Sequence, residues 1–163
     1  MLTHDSKTTV VRQSDLDRAF LGTTAPARVL VVDDDPTTEE LLTAIGEKEG
    51  YEIVIVDDGR KAYRILRSDA NFVASVFNMT MPNLIGLDLV RYMKTEKRLM
   101  RIPVIIVAGD TGLQRISENF AAGALAFLPK PFTKEKLALT LRLAQISQAS
   151  RKRADVRPRK LAA

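Results

Sequence analysis

The sequence predicts an α/β fold: an open, doubly wound sheet of five parallel strands with helices on both faces. Three observations lead there. Apolar runs rich in Val, Ile, Leu and Phe recur at 28–33, 52–56, 72–77, 103–107 and 125–128. Each run is nearly continuous, not alternating, which suits strands buried on both faces, as in a parallel sheet. Helical spacing fills the gaps, and the short connections imply right-handed crossovers.

The elements follow in order. Residues 1–26 are a mostly polar arm, and Gly22-Thr23-Thr24-Ala25-Pro26 reads as a linker. Within the arm, 14–21 could form a short helix with Ser14 as N-cap and Gly22 as stop. The domain proper is expected over 27–147. Its first strand ends in Asp33-Asp34-Asp35, and Pro36 opens a helix over 37–49 that Gly50 closes. Asp35 reads as the cap of that helix. The second strand meets Asp57-Asp58-Gly59, which reads as a turn and not a site. The next helix, 59–69, carries Ala62, Ile65 and Leu66 inward. The third strand runs into Asn78, and helix 86–98 presents Leu87, Val90 and Met93. The fourth strand reaches Ala108, and helix 112–122 presents Ile116 and Phe120. The fifth strand reaches Lys130, and Thr133 caps a last helix bearing Leu137, Leu141 and Ala144.

A basic tail is expected over 148–163. From Arg151 onward it holds six basic residues against the single acid Asp155, so it accounts for the whole net charge of +5. The rest of the chain is near neutral, and no basic binding face on the domain is implied. The tail lacks aromatic residues for stacking on bases, so nucleic-acid binding is not expected. Its close, Lys160-Leu161-Ala162-Ala163, resembles a scar left by an expression vector.

Composition narrows the rest. A chain of 163 residues with 45% apolar content fits one globular domain. No apolar run is long enough to span a membrane, and the polar N-terminus does not read as a signal peptide. There is no cysteine, hence no disulfide and no thiolate metal site. A cytoplasmic location is expected. The lone His4, on the polar arm, is not expected to be a ligand.

Chemistry is expected where such sheets bind ligands, at the C-terminal strand ends. Asp33, Asp34, Asn78, Ala108 and Lys130 all fall there. Adjacent acids suit a hard cation such as Mg2+. A carboxylate on the third strand would complete that site and attack a phosphoryl group, while a lysine neutralised the transferred oxygens. The third strand supplies Asn78 instead.

Four motifs in order carry a resemblance over about residues 28–147. They are the apolar strand ending in Asp33-Asp34, the run Asn78-Met79-Thr80-Met81-Pro82 against an Asp-x-x-Met-Pro pattern, the strand Pro103-Val104-Ile105-Ile106, and Lys130-Pro131. Together they resemble the receiver domain of two-component response regulators. The resemblance implies a flavodoxin-like sheet of order 2-1-3-4-5. It implies metal ligation by Asp33, Asp34, Asn78 and the Thr80 backbone carbonyl, with Asp34 the more direct carboxylate. It makes Lys130 the pocket lysine and the Lys130-Pro131 bond cis.

Three positions depart from the family. Asn78 stands at the phosphoacceptor place, Ala108 at the switch Thr/Ser place, and Phe127 at an aromatic switch place often held by Tyr. An amide is a poor nucleophile, and Ala108 lacks the hydroxyl that senses a phosphoryl group. Two losses on one pathway point to a degenerate, pseudo-receiver-like module: bacterial, not an enzyme, with Mg2+ binding weakened. It would act by contact with a histidine kinase or a downstream regulator, with dimerisation through 111–145 also open. Two alternatives stand beside this: a phosphorylatable regulator seen as an inactivated Asp-to-Asn variant, and a DNA-binding regulator truncated to its receiver.

Overall fold

The computed structural model describes residues 26–79, 86–109 and 112–156. The expected arm helix at 14–21, Thr80 and the end of the basic tail lie outside them. Five strands and five helices alternate along the described chain. They are β1 Ala27–Val32, α1 Pro36–Glu49, β2 Tyr51–Val56, α2 Gly59–Ser68, β3 Ala74–Asn78, α3 Gly86–Thr95, β4 Val104–Ala108, α4 Leu113–Ala122, β5 Ala126–Pro129 and α5 Lys134–Val156.

The sheet order is β2-β1-β3-β4-β5 and every pairing is parallel. Successive residues of a strand point to opposite faces, so each strand feeds two cores. On one face Leu30, Val32, Phe77 and Ile106 pack with Ala62 and Leu66 of α2 and with Leu89, Val90 and Met93 of α3. On the other, Val29, Val31, Val76, Ile105 and Val107 pack with Leu42 and Ile45 of α1 and with Leu137, Leu141 and Ala144 of α5. Burying such a side chain stabilises by about 1.5–3 kcal/mol. This is why the expected continuous apolar strands and two-sided helices hold.

Helix ends follow the local chemistry. Asp35 accepts a hydrogen bond from the Thr37 N–H at 3.0 Å and caps α1, as expected. Asp58 caps α2 through the Arg60 N–H, and Asp57 pairs with Lys61, so this triplet forms a helix start. Thr133 Oγ1 accepts from the Lys136 N–H and caps α5. Gly50 ends α1 at φ 80°, a left-handed conformation that glycine adopts without a Cβ penalty. Gly123 ends α4 at φ 113°, and a Cβ there would meet the Lys94 side chain at 2.9 Å.

Three expectations change. The third strand begins at Ala74, not at residue 72: Phe72 is buried, but its N–H turns back to the Ala70 carbonyl. The third helix stops at Thr95 and not at residue 98; the chain then turns, and Lys94 Nζ donates to the Met100 and Ile102 carbonyls across that turn. Phe120 faces solvent, 45% exposed, instead of the core. Its neighbour Asn119 takes the buried place, donating from Nδ2 to the Arg115 carbonyl. The last helix, α5, continues to Val156, into the stretch expected as the basic tail. Gln148 anchors the extension, being buried and donating to the Phe72 carbonyl at 3.1 Å.

Candidate functional site

The site forms where the parallel ladder stops. Val32 is the last residue of β1, and the next residue, Asp33, is buried with its N–H on the Val56 carbonyl. Asn78 is the last residue of β3 and pairs with Val107 of β4. Ala108 closes β4, and its carbonyl accepts the Lys130 N–H at 2.7 Å. Lys130 follows β5, and the Lys130-Pro131 bond is cis, as the motif implied. Four of the residues singled out by strand-end position, Asp33, Asn78, Ala108 and Lys130, are therefore brought to one end of the sheet.

The polar contacts converge on Asp33. Its Oδ1 accepts from the Asp35 N–H and from Asn78 Nδ2, each at 3.0 Å. Its Oδ2 accepts from Lys130 Nζ at 2.9 Å. The Asp33 side chain is only 1% exposed, so this buried carboxylate has its charge met by one ammonium and two N–H donors. Lys130 Nζ also reaches Asp35 Oδ2 at 3.1 Å. Asp35, read from sequence only as a helix cap, thus has two roles on two oxygens: Oδ1 caps α1 and Oδ2 pairs with the lysine.

Asp34 does not enter this network. It is exposed and makes no ion pair among the described residues, although the family resemblance implies it as the more direct metal ligand. Ala108, 5% exposed, presents only a methyl group. Phe127 is half-buried against the α2–α3 side of the sheet. Beside Lys130 a groove of about 320 Å³ opens between Thr37, Thr38 and Leu41 of α1 and the segment Lys130-Pro131-Phe132.

Charge coupling is visible in two groups. The hydrogen bond from Lys130, with the Thr37 N–H, holds the Asp35 carboxyl below the usual aspartate range. Burial pushes the Lys130 ammonium down, but its hydrogen bonds to Asp33 and Asp35 and their negative charge outweigh burial, so it is raised overall.

A parallel sheet of order 2-1-3-4-5 with acids after β1, a polar residue closing β3 and a lysine after β5 defines the CheY-like flavodoxin class. Residues 29–142 match the model of the response regulator receiver domain, and the chain belongs to that family. A curated relative, the two-component response regulator ORR7 of Oryza sativa subsp. japonica, is 34% identical over 103 residues, which is 63% of this chain and 49% of that protein. The chain therefore spans about half the length of that relative. The solved chemotaxis response regulator CheY4 of Vibrio cholerae superposes with a TM-score of 0.67 at 27% identity, over 74% of this chain and 99% of that one. The receiver domain of sensor histidine kinase PA1611 from Pseudomonas aeruginosa PAO1 superposes at 0.66 and 24% identity, over 74% of this chain and 98% of that one. It was solved with a magnesium ion coordinated in its active site cleft. Receiver domains are the signal-receiving modules of two-component systems.

A hard cation is held chiefly by anionic oxygens. Asp33, the one buried acid among the described residues, accepts three N–H donors. Among the described residues no group of three Asp, Glu, His or Cys side chains could hold a metal.

Proposed function

We propose that this chain is a receiver module that signals by protein–protein contact, without phosphorylation at position 78. The observation that carries the proposal is the hydrogen bond from Asn78 Nδ2 to Asp33 Oδ1 at 3.0 Å. A carboxylate at position 78 could not donate that bond. Asn78 ends β3, the place to which the family's motif assigns the phosphoacceptor, and an amide there cannot form an acyl phosphate by attack. The methyl of Ala108 has no hydrogen to offer a phosphoryl oxygen, and Phe127 has no hydroxyl. The expected weakening of Mg2+ binding follows from the same loss of negative charge.

The contact surface is proposed around α4, β5 and α5, within about 111–145. Phe120, Leu125, Leu139 and Leu143 are exposed there, and Ile146 lies one residue beyond. Leu139, Leu143 and Ile146 are spaced as one helix face, while Leu137, Leu141 and Ala144 fill the core from the opposite face. An apolar outer face on a helix already packed inward suits a partner, whether a histidine kinase, a downstream regulator or a second copy. The module is proposed to bind and not to catalyse, in the reducing cytoplasm of a bacterium, without nucleic-acid contact. Among the described residues no helix is long and apolar enough to cross a membrane.

The Asp33–Lys130 pair also supports a second reading, a phosphorylatable regulator inactivated by an Asp-to-Asn change, since the rest of the acid–lysine arrangement is present. Ala108 weighs against it, because one such change leaves the missing hydroxyl unaccounted for. The test is phosphate incorporation from a small phosphodonor with Mg2+. The unmodified chain is expected to take up none. Labelling that disappears in Asp34→Ala or Thr80→Ala would reveal another acceptor and overturn the proposal.

A further inference from the structure

Resting on the assignment of Asn78 made above, we infer that the Asn78 amide and the Lys130 ammonium together replace the divalent cation, so that the pocket is complete without a metal. In a pocket with two facing carboxylates, a cation bridges oxygens that would otherwise repel. Here the facing groups are unlike. Asn78 turns its Nδ2 toward Asp33 Oδ1 at 3.0 Å, and Lys130 Nζ sits on Oδ2 at 2.9 Å. The Asp35 N–H takes the remaining room on Oδ1 at 3.0 Å. Three of the carboxylate's roughly four acceptor sites are taken, so a metal–oxygen bond of about 2.1 Å to Asp33 would have to share Oδ2 with the Lys130 ammonium.

Of the other acids only Asp34 is uncommitted, and a single exposed carboxylate holds a hard cation weakly. Asp35 gives Oδ1 to the start of α1 and Oδ2 to Lys130. Asp34 is exposed, apart from the network. Asn78 is therefore more than a lost nucleophile. It is a donor that satisfies the buried carboxylate, and Asn78→Asp should create a need for metal that the unmodified chain does not have.

Thermal melting in excess EDTA and in millimolar MgCl2 tests this on the full chain. A ligand that binds only the folded state raises the melting temperature in proportion to its binding free energy. The unmodified protein is expected to melt at the same temperature in both buffers. Asn78→Asp is expected to melt about 5 °C lower in EDTA and to recover with Mg2+. Asn78→Ala, which removes the donor without adding charge, is expected to melt lower in both. Saturable stabilisation of the unmodified chain by Mg2+ overturns the inference, as does an Asn78→Asp variant that melts like the unmodified chain in EDTA. Should Asn78→Asp fail to fold, Asn78→Ala and the Mg2+ titration of the unmodified chain still decide. Labelling of the unmodified chain by a phosphodonor bears on the proposed function alone, and its metal response bears on this inference alone.

Discussion

Lys130→Ala is expected to lower the melting temperature by about 5–10 °C. Removing one partner of a buried ion pair costs about 3–5 kcal/mol, because the other charge is left unpaired. The Lys130 side chain is 18% exposed and Asp33 keeps two N–H donors, so about 2–3 kcal/mol is expected here. In a domain of this size each kcal/mol moves the midpoint by roughly 2–4 °C. The pH dependence has a definite sign. Lys130 is raised, so its contribution is complete below the unfolded lysine value of about 10.4 and is lost as pH rises through the folded value. Asp35 is lowered, so its contribution is complete above the unfolded aspartate value of about 3.9 and is lost as pH falls through the folded value. The gap between unmodified and Lys130→Ala proteins should therefore be flat across neutral pH and narrow at both extremes. Denaturant titrations of the two proteins from acid to alkaline pH measure it. A gap that peaks or vanishes near neutrality would mean that the pair is not the source of the stability.

Asn78→Asp is expected to convert a chain that takes up no phosphate into one that does, with Mg2+ required. The substitution supplies a carboxylate at the end of β3, beside Asp33 and within the reach of the Lys130 charge. Response should lag behind incorporation. Ala108 offers only a methyl at the end of β4, so a phosphoryl oxygen would find no hydroxyl there. Adding Ala108→Thr should improve the conformational response of the phosphorylated variant more than its rate of labelling. Phosphate uptake and amide exchange over α4, β5 and α5, followed in the single and double variants, separate the two effects. Equal response in both variants would show that the hydroxyl at 108 does not matter.

Much of this was legible because a parallel sheet buries both faces of its strands. Val29 to Val32 and Val104 to Val107 are continuous apolar runs for that reason, and their C-terminal ends place Asp33, Asn78, Ala108 and Lys130 together. What escaped lies where one residue does two things or where a polar residue points inward. Asp35 looked like a cap because it is one; nothing in an Asp-Pro helix start reveals that its second oxygen meets a lysine 95 residues away. Phe120 was placed inward by spacing, yet Asn119 occupies the buried position, and apolar periodicity has no means of choosing an amide over a phenyl ring. The anchoring of α5 beyond residue 147 rests likewise on an amide, that of Gln148, whose burial no apolar pattern signals. Boundaries such as that of β3 shifted because burial begins at Phe72, before the ladder does.

The central claim is that this receiver holds one pocket state, independent of phosphoryl groups. Backbone amide chemical shifts of the unmodified chain, recorded with and without a small phosphodonor in the presence of Mg2+, test it most directly. The account predicts no saturable change at Asp33, Asn78, Ala108 or Lys130, nor across α4, β5 and α5. Concerted, saturable shifts at those pocket residues that spread into α4 and α5 would contradict it.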